Sequence, residues 1–477
     1  MAAMELTEYT ALDAVGIAEA VRGGEVSRAE VADAARRAII LANPAVGAVI
    51  EVFDEPLAAP AGPGAGATDA DAALAGVPFL IKDIGATLRG VGSEAGSRLA
   101  VGLTGQQDSQ LVRTLLRAGL QLLGRSATSE FALLTHTDTV LHGPTRTPWN
   151  SAHSAGGSSA GAAAAVAAGM VPVAHGNDGG GSLRIPASAC GVIGLKPTRG
   201  SISPRPYSDV GFGWVNEFMV TRTVRDTAAL FGLLAEPRAT SQVPPARRPR
   251  VGYWVHPWSG VAGASDVADV ALTAASLLGE WGATVSEARP RFSWEAFAEA
   301  QFVLFAVLHR YAVDITATAT GRTPGPDTLE PHTLAVYHAA QHLDASSVLR
   351  ALELADLVRE QLAVFFDEFD MLITPTMPQL PDTFERAAVG RLDDGPDEIK
   401  QLWASRGTFT DPFNLSGNPA ISLPLGWSST DLPIGVQLVG RWASEPSLLA
   451  YAERFEQTLP WAGRRPPLHV TAIGGNS

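Results

Sequence analysis

The spacing of hydrophobic and polar positions changes several times along this chain. From about Ala11 to Arg22, and again from Arg28 to Leu41, apolar residues recur at helical intervals. Ser27 followed by Glu30 supplies a capping-box start for the second of these helices. Val49 to Phe53 is expected as a strand, and the apolar run Val77-Pro78-Phe79-Leu80-Ile81 as a buried one. The pattern then alternates: helix at Ser109 to Ala118, strand at Leu120 to Leu123, Ala-rich helix at Ser159 to Ala168, strand at Val171 to Ala174. Such alternation predicts an α/β fold with a sheet between helices. The stretch from Trp294 to Phe366 is mostly helical and leaves this rhythm, so a helical cap or outer layer is expected at about 290–366. Core strands are expected again at Met371 to Thr374, Ala420 to Leu423 and Gly435 to Val439. Ala58 to Ala67, rich in Pro, Gly and Ala, is expected as a surface loop. It does not read as a boundary, because a buried-strand pattern resumes soon after. We therefore expect one unit over 1–477, its core formed by about 70–235 and 370–465.

Composition narrows this picture. The 477 residues are 46% hydrophobic and 18% charged, enough apolar material for a large core and unlike a disordered chain. Lys and Arg number 35 against 49 Asp and Glu, a net charge of -14, which disfavours a nucleic-acid partner. The only cysteine, Cys190, excludes an intrachain disulfide and a cysteine-based metal cluster. The first residues lack a basic segment followed by an apolar one. The apolar run Ala160 to Ala174 is short for a bilayer. A cytoplasmic location away from membranes is the expectation.

Three short segments carry chemistry. Ile81-Lys82-Asp83 ends an apolar strand, Gly156-Gly157-Ser158-Ser159-Ala160-Gly161 opens the Ala-rich helix, and Gly179-Gly180-Gly181-Ser182-Leu183-Arg184-Ile185-Pro186 follows the next strand. Singly, each has an ordinary explanation: a first solvated lysine, an N-cap serine, a flexible turn. No Gly-Lys-Ser/Thr follows the glycines, so a nucleotide P-loop is not supported. No H-x-x-H or related spacing supports a metal site.

Together, their order and spacing resemble the amidase signature family. The match runs from Ser154-Ala155-Gly156-Gly157-Ser158-Ser159 through Gly181-Ser182 to Gly194-Leu195-Lys196-Pro197-Thr198. Further similar segments are Gly124 to Phe131, Thr374-Pro375-Thr376 and Phe413-Asn414 to Pro424, so the likeness covers nearly the whole chain. The resemblance implies a mixed, twisted sheet covered on both faces by helices. It implies a serine hydrolase with Ser182 as nucleophile, Ser158 as proton relay after a cis Gly157–Ser158 bond, and Lys82 as buried base, with no cofactor and no metal. A lysine ordinarily titrates near ~10.4, and burial lowers that by disfavouring the charged form. Backbone N–H groups of Gly179, Gly180, Gly181 and Ser182 are the expected oxyanion donors, since glycines let successive amides turn toward one point. The family often has a threonine or isoleucine near this loop's start, where Asn177-Asp178 stands here, which leaves the backbone role intact and allows a wider acyl side. Asp178 and Arg184 are expected to buttress the loop. Cys190 is expected as a small buried filler, and the histidines are not needed as bases.

The wording around Ala174-His175-Gly176-Asn177-Asp178 and Lys196-Pro197-Thr198-Arg199-Gly200 is similar to the branch of the family containing 6-aminohexanoate cyclic dimer hydrolase and related aryl acylamidases and urethanases. That likeness implies a small-molecule amide or carbamate as substrate; a monomer or homodimer is the expectation for assembly. Ser201 to Glu217, with Tyr207, Phe212 and Trp214, is expected as an entrance loop. Phe302, Phe305 and His309 are candidates for the opposite wall. The alternative is the glutamine-hydrolysing A subunit of a tRNA-dependent amidotransferase. Its typical Arg-Gln-Pro after the nucleophile is Arg184-Ile185-Pro186 here, which argues against it. A non-catalytic binding protein is disfavoured because all three triad positions are filled, and ester cleavage is expected as a side activity.

Overall fold

A computed structural model describes residues 4–58, 72–207, 210–236, 248–385 and 394–474. Its strands, in chain order, are β1 (Val49–Leu57), β2 (Pro78–Lys82), β3 (Gln121–Ser126), β4 (Asp138–Thr139), β5 (Gly143–Pro144), β6 (Val173–Asp178), β7 (Ile193–Lys196), β8 (Asn216–Thr221), β9 (Arg250–Tyr253), β10 (Thr284–Glu287), β11 (Met371–Pro375), β12 (Ala420–Trp427) and β13 (Pro433–Gly440). Eleven of them form one sheet in the order β1-β3-β2-β6-β8-β7-β12-β13-β11-β9-β10, and β4 pairs with β5 apart from it. β2 runs parallel to both its neighbours, β3 and β6. From β6 through β8, β7, β12 and β13 to β11 every pairing is antiparallel, and β9 and β10 are parallel again. The fold is α/β with a large mixed sheet flanked by helices, as expected.

The elements follow from the sequence. Ser27 and Glu30 form the capping box: the Glu30 carboxylate accepts the Ser27 N–H at 2.8 Å, and the Ser27 hydroxyl accepts the Glu30 N–H at 3.2 Å. The helix they start runs to Val46 and ends where Gly47 adopts a left-handed conformation. The first predicted helix instead begins at Ala14, because the Asp13 carboxylate caps Gly16 N–H at 2.9 Å. Every residue of the Ala-rich helix Ala160–Ala167 is buried. A β-carbon on Gly161 would strike the backbone of Ala48 and Ala127, so glycine lets this helix approach the sheet. Residues 59–67 of the expected surface loop lie outside the described residues.

The helical stretch resolves into Trp294–Thr320, Pro331–Ala339 and Ala345–Glu368. The first and third pack on each other around Phe297, Leu304, Val358 and Leu362. Trp294–Thr320 is the one helix among the described residues long and apolar enough to cross a membrane, by length and composition alone. Here one face meets the neighbouring helix and another borders a cavity. One expectation needs revision: the Ser201 to Glu217 loop ends earlier, because Asn216 and Glu217 begin β8 and pair with Asp178 and Asn177 of β6.

Candidate active site

Parallel neighbours end on the same edge of a sheet, and ligands of open α/β sheets gather at the carboxyl ends of strands. β2 ends in Lys82 and β6 in Asn177-Asp178, which puts these side chains together. The helix Ala160–Ala167 starts beside them, directly after Ser158 and Ser159. The Gly157–Ser158 peptide is cis. A β-carbon at Gly157 would lie 2.7–2.8 Å from backbone atoms of Leu134, Thr135 and His136, so the turn accepts only glycine there.

Lys82 is 2% exposed. Its Nζ lies 2.7 Å from Ser158 Oγ, 3.0 Å from Ser159 Oγ and 2.6 Å from Asn177 Oδ1. Ser159 donates its own hydroxyl proton to the Asn177 carbonyl at 3.1 Å. Burial brings the Lys82 amine down to about 7, against the upward pull of Glu217 and Asp178. Glu217 is joined to the lysine through neighbours: it meets His175 Nε2 at 2.7 Å and accepts from Asn177 Nδ2 at 3.4 Å. His175 Nδ1 in turn accepts the Lys82 backbone N–H at 3.3 Å. Ser159, Asn177, His175 and Glu217 are neighbours of Lys82 to which sequence reasoning gave no role in the site. The strand pairing of Asn177 with Glu217 is the feature that brings the last of them in.

Ser158 and Ser182 border one cavity together with Asn177, Gly179 and Gly180. The Ser182 carbonyl accepts the Ser159 N–H at 3.2 Å. Asp178 and Arg184 are both fully buried and clamp the loop between them. Arg184 Nε and Nη2 each donate to the Asp178 carboxylate at 2.8 Å, while Nη1 donates to Thr410 O at 2.9 Å and Gln437 Oε1 at 2.6 Å. Burial alone would raise the Asp178 carboxyl, but Arg184 and the hydrogen bonds around it hold it well below the usual carboxylate range. Asn414, a further residue with no assigned role from sequence, donates to Asp178 O at 2.8 Å and Oδ1 at 2.9 Å.

Three expectations shift. The Gly181 N–H donates to Asp178 Oδ1 at 2.6 Å, so it is taken up by the clamp, whereas Gly179, Gly180 and Ser182 border the cavity. Trp214 is 1% exposed and lies off the cavity, stacked against Phe297 and edge-on to Phe305 at 5.2 Å. Phe212 is 37% exposed and also lies off the cavity, because its left-handed backbone (φ 57°) turns the chain there. Tyr207 and Phe305 do border the cavity, as does His309, while Phe302 is buried against Trp403. Tyr207 anchors its hydroxyl 3.1 Å from Thr87 Oγ1. Cys190 is buried, with burial pushing its thiol well up, as suits a packing residue.

The cavity holds about 400 Å³, the size of a small organic ligand. Leu111, Phe131, Leu133, Phe305, Leu308 and Ala312 give it a mainly apolar wall. Potential metal ligands meet elsewhere, where atoms of Asp83, Glu94 and His142 lie within 4.8 Å of one another. The Arg125 guanidinium already supplies positive charge there, pairing with Glu51, Asp83 and Glu94.

Known proteins resemble this chain over nearly its whole length. The Amidase family model matches residues 30–449. The chain is 36% identical to a 6-aminohexanoate-cyclic-dimer hydrolase of Paenarthrobacter ureafaciens, over 96% of each chain. It is 31% identical to an acylamidase of Rhodococcus erythropolis, over 95% of this chain and 97% of the other. The solved structure of a 6-aminohexanoate cyclic dimer hydrolase complexed with substrate superposes with a TM-score of 0.85 at 33% identity, covering 96% of this chain and 99% of that one. The chain belongs to the Amidase family and is an amide-hydrolysing enzyme.

Proposed function

We propose that this enzyme hydrolyses neutral amides with apolar substituents through a Ser182–Ser158–Lys82 triad and an acyl-enzyme intermediate. The observation that carries the proposal is a lysine sealed from water with its amine 2.7 Å from Ser158 Oγ. A neutral amine has two N–H donors and one lone pair. Asn177 Oδ1 takes one N–H, and Ser159 Oγ, whose proton goes to the Asn177 carbonyl, takes the other. The lone pair is left for the Ser158 hydroxyl, which frees the Ser158 oxygen to accept the proton of Ser182. On attack, the Ser182 Oγ–carbon bond forms and the Ser182 proton passes to Ser158 as the proton of Ser158 passes to Lys82. The C–N bond then breaks as Ser158 protonates the leaving nitrogen and recovers its own proton from Lys82. Water attacks the acyl-enzyme by the same route. N–H groups of Gly179, Gly180 and Ser182 are the candidates to hold the oxyanion, each such donor being worth ~10²–10³ in rate.

The apolar wall favours neutral, hydrophobic amides, and the likeness to a cyclic-dimer hydrolase and an acylamidase supports unnatural linear or cyclic ones. A carbamate offers the same planar carbonyl and nitrogen leaving group, so urethane hydrolysis belongs to the proposal, with ester cleavage as a side activity. The test is a panel of neutral anilides, linear amides, nylon-type oligomers and carbamates with products identified. Ser182→Ala is expected to lower turnover by on the order of 10⁴-fold or more, with Ser158→Ala retaining a small residue. Lys82→Ala should cut amide cleavage more than ester cleavage, because an alkoxide leaves without a proton more readily than an amide anion. Unchanged turnover in Ser182→Ala would remove the proposal.

A further inference from the structure

The helix Trp294–Thr320 turns Gln301, Phe305, Leu308, Ala312 and Ile315 toward the cavity, residues three or four apart and so on one face. Across from Gln301 stands a carboxyl group that the proposed mechanism does not use. Asp411 is 4% exposed and borders the cavity beside Gly180. It sits directly after Thr410, whose hydroxyl donates to Gly180 O at 2.9 Å. A β-carbon on Gly180 would come 2.8 Å from Asp411 Oδ1, and one on Gly407 would strike the same carboxyl, so glycines make the space it occupies.

Its partners are few. Oδ2 accepts a hydrogen bond from Gln301 Nε2 at 2.6 Å. Among the described residues the only donor recorded for Oδ1 is the Thr410 hydroxyl at 3.5 Å, which already donates to Gly180 O at 2.9 Å. Among the described residues no Lys, Arg or His forms an ion pair with Asp411. The nearby Arg184 spends its N–H groups on Asp178, Thr410 O, Gln437 and Asn414. The other carboxylate on the cavity wall, Glu217, is held by His175 and Asn177. Asp411 is thus a buried acid with one weakly engaged oxygen at the glycine loop and, among the described residues, no cation paired to it; Arg184 acts on it only through its field. Burial pushes its carboxyl well above the usual range, as expected for an acid that waits for a partner.

We propose that Asp411, steadied by Gln301, is a recognition site for an amine carried by the substrate, separated by an apolar spacer from the scissile carbonyl. An aliphatic amine arriving as ammonium supplies the missing cation, and pairing with it stabilises the ionised carboxylate. Phe305 and Leu308 cover the spacer. The inference rests on the amide-hydrolase reading of the same cavity and amends its substrate class: the amide itself and the spacer are neutral and apolar, but the far end of the preferred substrate carries a second, basic nitrogen.

Paired acyl anilides test it, identical in length and ending either in an amine or in a methyl group. In the wild type, kcat/KM is expected to favour the amine-terminated member at the best spacer length. Asp411→Asn keeps the shape and removes the charge, and the amine-to-methyl ratio of kcat/KM should fall about tenfold or more, carried by KM. An unchanged ratio, or a wild type that prefers the methyl series at every length, overturns the inference. Calorimetry on Ser182→Ala with hexylamine and hexanol separates recognition from chemistry. Saturable hexylamine binding that disappears when Asp411→Asn is added supports the site even if no anilide is cleaved, an outcome that would count only against the proposed hydrolysis. Equal binding of hexylamine with and without the Asp411 charge overturns it.

Discussion

At the scale of single residues, the proposed base Lys82 is expected to set the pH behaviour. Its amine must be neutral to act as a base, and burial places its titration at about 7. Below that pH the protonated fraction grows, so kcat/KM is expected to fall about tenfold per pH unit and to level off above. A profile that instead declines above neutrality, with the protein still folded, would speak against Lys82 as base. Glu217 favours the ammonium form through its negative charge. Glu217→Gln removes that charge and should move the acid limb to lower pH, whereas a residue that only braced β8 would lower the plateau and leave the limb in place. Lys82, Ser158 and Ser182 could be proposed from sequence because each lies in a short segment, the end of an apolar strand or a run of glycines and serines, that carries the pattern locally. Glu217, Gln301 and Asp411 were not. Their relation to the site is made by strand pairing and by a helix crossing the cavity.

At the scale of elements, the expected strands and helices are mostly present, and the departures have local causes. Asp13 moves the start of the first predicted helix to Ala14 by capping Gly16 N–H. β8 was hidden because its start follows a Gly- and Pro-rich stretch, although Phe218-Met219-Val220 is fully buried between β6 and β7. Phe212 and Trp214 fail as wall residues for the same reason: the chain turns at Gly211 and Gly213, and Trp214 is carried inward to back Phe305. The glycine loop is held by the elements that flank it, β6 through Asp178 and the helix Arg184–Cys190, and by one far away in sequence, the helix Asp411–Ser416 through Asn414. Asn414 answers Asp178, the Trp214 carbonyl and Arg184 together, all of them buried. Asn414→Ala leaves these groups short of partners and should cost roughly 2–4 kcal/mol in denaturant unfolding, through unsatisfied buried polar atoms. The same variant loosens Asp178 against Gly181, so kcat should fall as well. A loss of stability below about 0.5 kcal/mol would show that water replaces the amide and that the clamp does not depend on it.

At the scale of the whole molecule, the sheet supplies the floor of the site and the helix Trp294–Thr320 a wall. The floor carries the groups proposed for chemistry, so substrate size should be governed by the wall. Leu308 is a useful lever, since it faces the cavity from that helix and makes no polar contact. Leu308→Trp narrows a space of about 400 Å³ from the helix side and leaves Lys82, Ser158 and Ser182 unsubstituted. Small anilides should keep kcat/KM within about threefold, while naphthyl or long-chain amides should lose about tenfold or more, in line with what one or two methylenes decide in an apolar pocket. Uniform losses across sizes would mean that the substitution disturbs the glycine loop through Phe305, whose ring lies 3.8 Å from a β-carbon placed on Gly180. Loss confined to large substrates would divide the molecule physically: the sheet edge sets which bond is broken, and the helix across the cavity sets which molecules reach it.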